Sequence, residues 1–164
     1  MVEIAGSAVR GTILHKLMEE ALNGETQDTV AELERRAEEL TAPLGREPSV
    51  DPKSGIAPKD LAATIVRTLK LPEIAALRPC LTPEHTVFGG RSDGRNKILV
   101  WGIADAVALA ANGGIKSIID WKSDVEIGTE NLSAYRTRLG DYCRQTCVER
   151  GLLVLMTAGT ILSA

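Results

Sequence analysis

Aromatic side chains are scarce in this chain, which holds two tryptophans, two tyrosines and one phenylalanine in 164 residues. Cysteine is nearly as rare. Cys80, Cys143 and Cys147 form an odd set with no Cys-x-x-Cys, which excludes a disulfide framework and a four-cysteine zinc or iron–sulfur site. A reducing cytoplasm is the compartment that fits. No apolar run is long enough to span a bilayer, and the N-terminus lacks the basic-then-apolar pattern of a signal peptide. Gly89 to Gly94 has the glycine spacing of a phosphate loop but leads into Arg95-Asn96 rather than Lys-Ser/Thr, so nucleotide hydrolysis is not supported. The absence of Gly-x-Ser-x-Gly removes the simplest serine-hydrolase reading.

Charge of one sign is missing as well. The net charge of −3 conceals an acidic stretch over 19–51, with ten acids and three bases, and a mildly basic one over 52–110, with eight bases and five acids. Neither is a basic nucleic-acid-binding stripe. A DNA ligand would need local phosphate contacts, a divalent cation, or another chain that delivers the strand.

What the chain does carry is a hairpin with an acid on each arm. Ile98-Leu-Val-Trp-Gly-Ile-Ala-Asp105-Ala-Val-Ala-Leu109 and Ile115-Lys-Ser-Ile-Ile-Asp120-Trp-Lys122 flank Asn112-Gly113, a strong hairpin signal. A two-residue Asn112-Gly113 loop places Asp105 directly opposite Asp120, whereas a three-residue loop including Gly114 shifts the register by one. Opposed like charges repel by about 3 kcal/mol at 5 Å and an effective dielectric near 20, so the pairing implies a cation between them. By alternation Asp105 shares its face with Trp101, Ile103, Val107 and Leu109, and Asp120 shares its own with Ile118 and Lys122. The plainer reading is a surface Asp120–Lys122 ion pair.

The rest of the chain reads as one domain, mainly helical over 1–80, with the strands concentrated in 81–164. Helices are expected over 7–23, 27–41, 59–69, 73–78 and 130–148, and a proline-marked loop over 43–58. Strands are expected over 81–88, the two hairpin arms and 152–156, with 89–94 as a loop. That order predicts an α/β (α+β) domain with a small mixed sheet of about four strands flanked by helices. His15 sits at the edge of the first helix's apolar arc, one turn after Gly11, which is expected to leave open space beside the imidazole. Tyr135, Arg138 and Tyr142 fall on one helix face and suit phosphate contact and base stacking; a core-facing helix with a snorkelling arginine is an equal reading. All five aromatics lie between 88 and 142.

Together, Arg10-Gly-Thr-Ile-Leu-His15, Gly102-Ile-Ala-Asp105, Ile118-Ile-Asp120-Trp-Lys122 and Tyr135-x-x-Arg138-Leu-x-x-Tyr142 resemble, in order, the motifs of RecB-like nucleases of the PD-(D/E)XK superfamily. The resemblance is nearest to the nuclease domain that ends AddA-type helicase–nuclease subunits, and it runs from about residue 7 to Gly159. It implies a restriction-endonuclease-like core and a Mg²⁺- or Mn²⁺-dependent DNA nuclease that processes ends exonucleolytically during double-strand-break repair. His15, Asp105, Asp120 and the Trp121 carbonyl would bind the metal, and Lys122 would act on the attacking water and the phosphate. Glu84 would be an auxiliary acid, and Tyr135, Arg138 and Tyr142 would meet DNA. A helicase motor and an AddB-like subunit are the implied partners. Arg138 departs from the family's glutamine, which leaves a nuclease-fold remnant with a binding role as the alternative.

Overall fold

A computed structural model describes residues 5–45, 51 and 56–164. Most of the 43–58 loop lies outside them. The fold is mixed α/β, with α1 (Ala5–Asn23), α2 (Val30–Thr41), α3 (Pro58–Leu69), α4 (Pro72–Leu77), β1 (Leu81–Asp93), β2 (Asn96–Leu109), β3 (Ile115–Lys122), α5 (Thr129–Thr146), β4 (Arg150–Leu155) and β5 (Thr160–Ser163) in chain order. Two compact units are distinguished. One comprises Met1–Ala76, Lys122–Glu126 and Leu155–Thr160, and the other Leu77–Trp121, Ile127–Val154 and Ile161–Ala164. Among the described residues no helix is long and apolar enough to cross a membrane.

The first unit is built on α1. Ile13, Leu14, Leu17, Met18 and Ala21 are buried with Leu33 and Ala37 of α2 and Leu61, Ala62 and Ile65 of α3. Each such leucine or isoleucine contributes about 1.5–3 kcal/mol by leaving water. The Thr29 hydroxyl caps α2 by accepting from the Glu32 N–H at 3.3 Å. Pro58 opens α3, where its missing N–H costs nothing. Between α1 and α2 the buried Glu20 carboxylate accepts from Arg36 Nη2 at 2.8 Å, Arg36 Nε at 2.9 Å and the Thr26 hydroxyl at 2.9 Å.

The second unit holds the sheet, in the order β1-β2-β3-β4-β5. The β1 strand is longer than the sequence predicts. Its pairing with β2 runs from Leu81↔Ala108 to Asp93↔Asn96, so the expected 89–94 loop is mostly strand and the chain turns only at Gly94, whose φ is 59°. Glycines at 89 and 90 read as loop because the sequence does not show what lies beside them. A Cβ on Gly89 would fall 2.2 Å from the Gln145 carbonyl oxygen of α5, so the missing side chain admits the helix. The fifth strand, Thr160–Ser163, was not expected; it follows a turn in which the Gly159 N–H reaches the Leu155 carbonyl at 2.8 Å.

The β2–β3 hairpin departs from the two-residue loop. Ala110 N–H donates to the Gly114 carbonyl at 2.7 Å and Gly113 N–H to the Ala110 carbonyl at 2.9 Å, so Ala111, Asn112 and Gly113 form a three-residue loop. Gly113 supplies the left-handed residue with φ 82°. Next to it Leu109 pairs with Ile115, but Ala108 pairs with Ser117, leaving Lys116 as a bulge. The additional loop residue and the bulged residue cancel. Beyond the bulge the pairs are Val107↔Ile118 and Ala106↔Ile119, the register a two-residue loop would have produced.

Arg36 holds the Glu20 carboxyl below its ordinary value of 4.5. A carboxyl lowered by folding stabilises the native state above its unfolded pKa and loses that contribution as acid titrates it. Glu20→Gln should therefore cost roughly 1.5–3 kcal/mol at neutral pH. In urea melts across pH, the deficit should close as pH falls below 4.5.

Candidate functional site

The carboxylates sit where β2 and β3 leave their regular ladder. Continued one step past Ala106↔Ile119, the register sets Asp105 level with Asp120. Asp105 Oδ2 accepts the Trp121 N–H at 2.8 Å, so the side chain of one strand takes over a main-chain position of the next. On the other side, Pro83↔Ala106 and His85↔Ala104 bracket Glu84 and Asp105. Glu84 and Asp105 are thus the two residues left out of the β1–β2 ladder, while Asp120 follows the last β2–β3 pair. Glu84 is exposed and has φ 48°, a left-handed backbone that costs a non-glycine residue free energy and often marks functional segments.

The two faces of this sheet region differ. Along β2, Trp101 and Ile103 are exposed while Ala104 and Ala106 are buried. The apolar row expected to surround Asp105 is therefore buried only on its Val107 side, and both carboxylates are half-buried. Trp121, of opposite parity to Asp120 and Lys122 on β3, is 2% exposed and packs in the core.

Helix α5 presents the three residues expected to meet DNA unequally. Arg138 is exposed and Tyr135 half-buried, while Leu139 and Cys143 fill the buried face. Tyr142 differs from expectation. Its hydroxyl is buried with no hydrogen-bond partner among the described residues, and a Cβ on Gly102 would lie 3.0 Å from it. Gly102 and Asp105 have opposite parity on β2, so this hydroxyl lies across the strand from the carboxylates. Burial also pushes the phenol pKa up.

His15 and Lys122 belong to the first unit. His15 is half-buried on α1. The open space expected beside Gly11 is filled, because a Cβ there would come 2.6 Å from Ser123 Oγ. Lys122, also half-buried, ends β3, and its carbonyl accepts the Met156 N–H at 2.9 Å.

The feature that sequence reasoning missed is Arg10. It is 1% exposed. Its guanidinium donates to the Ser123 carbonyl at 3.1 Å, Thr157 Oγ1 at 2.8 Å, Asp60 Oδ2 at 3.1 Å and Thr64 Oγ1 at 3.5 Å. Thr157 Oγ1 also donates to the Ser123 carbonyl at 2.9 Å. Asp60 is 34% exposed, so the Arg10–Asp60 ion pair is only part-buried. A signal was available, since Arg10 stands one turn before the core residue Leu14 on the same helical stripe.

Two carboxylates at facing positions are the hard-oxygen donor chemistry that Mg²⁺ or Mn²⁺ takes. Among the described residues, no three His, Cys, Asp or Glu side chains are gathered into a metal-holding group.

A family model for the PD-(D/E)XK nuclease superfamily matches residues 2–147. A solved structure described as SSO0001 is similar at 20% identity and a TM-score of 0.42, with 94% of this chain and 77% of that one covered. No match was found among curated proteins.

Two substitutions test this geometry. Asp105→Ala leaves the Trp121 N–H without its acceptor and should cost about 1–3 kcal/mol. Asp105→Asn keeps an acceptor, removes one of two facing charges, and should melt no lower than wild type in chelator. Equal losses in both would mean that the carboxylate charge, not the hydrogen bond, holds this corner. Tyr142→Phe removes an unsatisfied buried hydroxyl, so its stability should be unchanged or higher and its DNA affinity unaltered in a binding titration.

Proposed function

The chain belongs to the PD-(D/E)XK nuclease superfamily, and on that premise we propose that it hydrolyses DNA phosphodiester bonds with Mg²⁺ or Mn²⁺. The observation that carries this reading is the β2–β3 register, Val107↔Ile118 and Ala106↔Ile119, with Asp105 and Asp120 the next residue on each strand and Lys122 at the end of β3. Asp105 and Asp120 would hold the cation. The family pattern alone adds His15 and the Trp121 carbonyl as donors. When bound, such an ion supplies a nucleophilic hydroxide and offsets phosphate charge. Lys122 orients the water and steadies the charge on the phosphate oxygens. Arg138, exposed on α5, suits a phosphate contact, with Tyr135 beside it and Glu84 as an auxiliary acid.

The finer placement is RecB-like and AddA-like. In it the protein trims DNA ends exonucleolytically during double-strand-break repair in the cytoplasm, fed by a helicase motor with an AddB-like subunit. A DNA-binding remnant without turnover is the second reading. It is favoured by Arg138 in the family's glutamine position and by the lack of a gathered three-ligand group among the described residues.

Incubation with labelled single- and double-stranded DNA, with and without Mg²⁺ or Mn²⁺, separates the two. Metal-dependent cleavage supports the nuclease, and its absence across substrates and protein concentrations supports the remnant. Lys122→Ala should abolish cleavage yet leave Mn²⁺ binding intact by calorimetry, because an ammonium is not a ligand. Loss of binding together with activity would make Lys122 structural.

A further inference from the structure

Beyond the carboxylates, the β1–β2 ribbon has two unlike faces. One is turned to α5: Val87 is buried there, and Gly89 and Gly102 let the helix backbone and the Tyr142 hydroxyl approach. The other face carries Phe88 directly paired with Trp101, with Leu99 and Ile103 next along β2. These four are 62%, 66%, 72% and 61% exposed. In a chain with five aromatics, two stand side by side in water. Isolated exposed apolar residues need no explanation, but a contiguous aromatic patch marks a binding surface.

We propose that this face is a stacking surface for the unpaired bases of a single DNA strand, leading to Asp105; the inference deepens the nuclease reading and rests on it. Phe88 and Trp101 offer adjacent ring faces, and base–aromatic stacking is tolerant of sequence because every base has a π-face. Charge favours a polyanion here. Between 86 and 104 the bases are Arg91, Arg95 and Lys97 and the only acid is Asp93, in a chain whose net charge is −3, although Arg91 pairs with Ile98 on the α5 side of the ribbon. By alternation Lys97 shares the face of Leu99 and Trp101.

Position connects this surface to the chemistry. Asp105 continues the same parity on β2, four residues beyond Trp101, a distance of about 13 Å along an extended strand. A duplex keeps its base faces stacked internally, so this surface selects unpaired nucleotides. A protein partner would also use aromatic residues and arginine. The basic ribbon end and the unbroken path to a carboxylate pair favour the nucleic-acid strand.

The test is fluorescence anisotropy of a labelled oligo(dT), with a blunt duplex of equal length as control. Both are titrated with the full chain in chelator, so that nothing is cleaved. Trp101→Ala and Phe88→Ala should each weaken single-strand binding roughly tenfold and leave duplex affinity unchanged. Trp101→Phe should stay within about threefold of wild type, since it keeps a ring. Equal losses on both substrates, or wild-type single-strand affinity in the two alanine variants, would overturn the proposal. So would variants that change only self-association by light scattering, which would make the face an interface between copies. A wild type that cleaves DNA while Trp101→Ala binds normally refutes the stacking surface alone. Trp101-dependent strand binding without any metal-dependent cleavage refutes the nuclease reading alone.

Discussion

The register between β2 and β3 is the constraint on which the rest of the site depends. Side chains alternate along a strand, so a slip of one residue would carry Asp105 to the face of Ala104 and Ala106 and bring an apolar side chain out in its place. The Asp105–Trp121 bond adds to this alignment but does not set it alone. The turn and the bulge set it: Gly113 closes a three-residue loop, and Lys116 is set aside so that Ala108 meets Ser117. Past that point Val107, Ile118 and Ile119 are buried, and moving any of them to solvent would cost about 1.5–3 kcal/mol. The apolar core thus fixes the alignment, and the carboxylates inherit it. The Trp121 N–H bond to Asp105 adds a cross-strand tie at this corner.

Arg10 secures a second alignment, within the unit that contains Lys122. A buried guanidinium is costly unless its donors are met. Its two terminal nitrogens reach Ser123, Thr157, Asp60 and Thr64, while the buried Nε has no partner among the described residues. Ser123 directly follows Lys122, and the Met156 N–H holds the Lys122 carbonyl. Hydrogen bonds therefore fix the carbonyls of both Lys122 and Ser123. An arginine suits this task better than a lysine because its planar fork reaches several acceptors at fixed angles.

Helix and strand boundaries with a periodic or breaker signal were legible in the sequence. The 3.6-residue spacing of the apolar residues in α1 acts locally, and the helix it announces is present. The β2–β3 register was legible by a route that was only half visible. Asn112-Gly113 marked the turn, but the loop length and the Lys116 bulge depend on how Ile115 and Ser117 pack, which no dipeptide encodes. Gly11, Gly89 and Gly102 were unreadable for a related reason. A glycine that admits a neighbour and a glycine that opens a loop look the same until the neighbour is known. Here the neighbours are Ser123, the backbone at Gln145 and the Tyr142 hydroxyl, each distant in sequence.

The same glycines account for the exposure of Phe88 and Trp101. A ribbon two strands wide buries one face when a helix lies on it and has nothing with which to bury the other. Small residues at 89 and 102 draw α5 close on one side, so large residues at 88 and 101, which alternate with them, must point the other way. Burial of an aromatic contributes about as much to stability as that of any core side chain, yet this chain keeps two of its few rings out of the core. Placing them on the glycine side would have filled the space that α5 occupies. The geometry that seats the helix therefore also sets the aromatic face, and alternation along β2 carries that face on to Asp105.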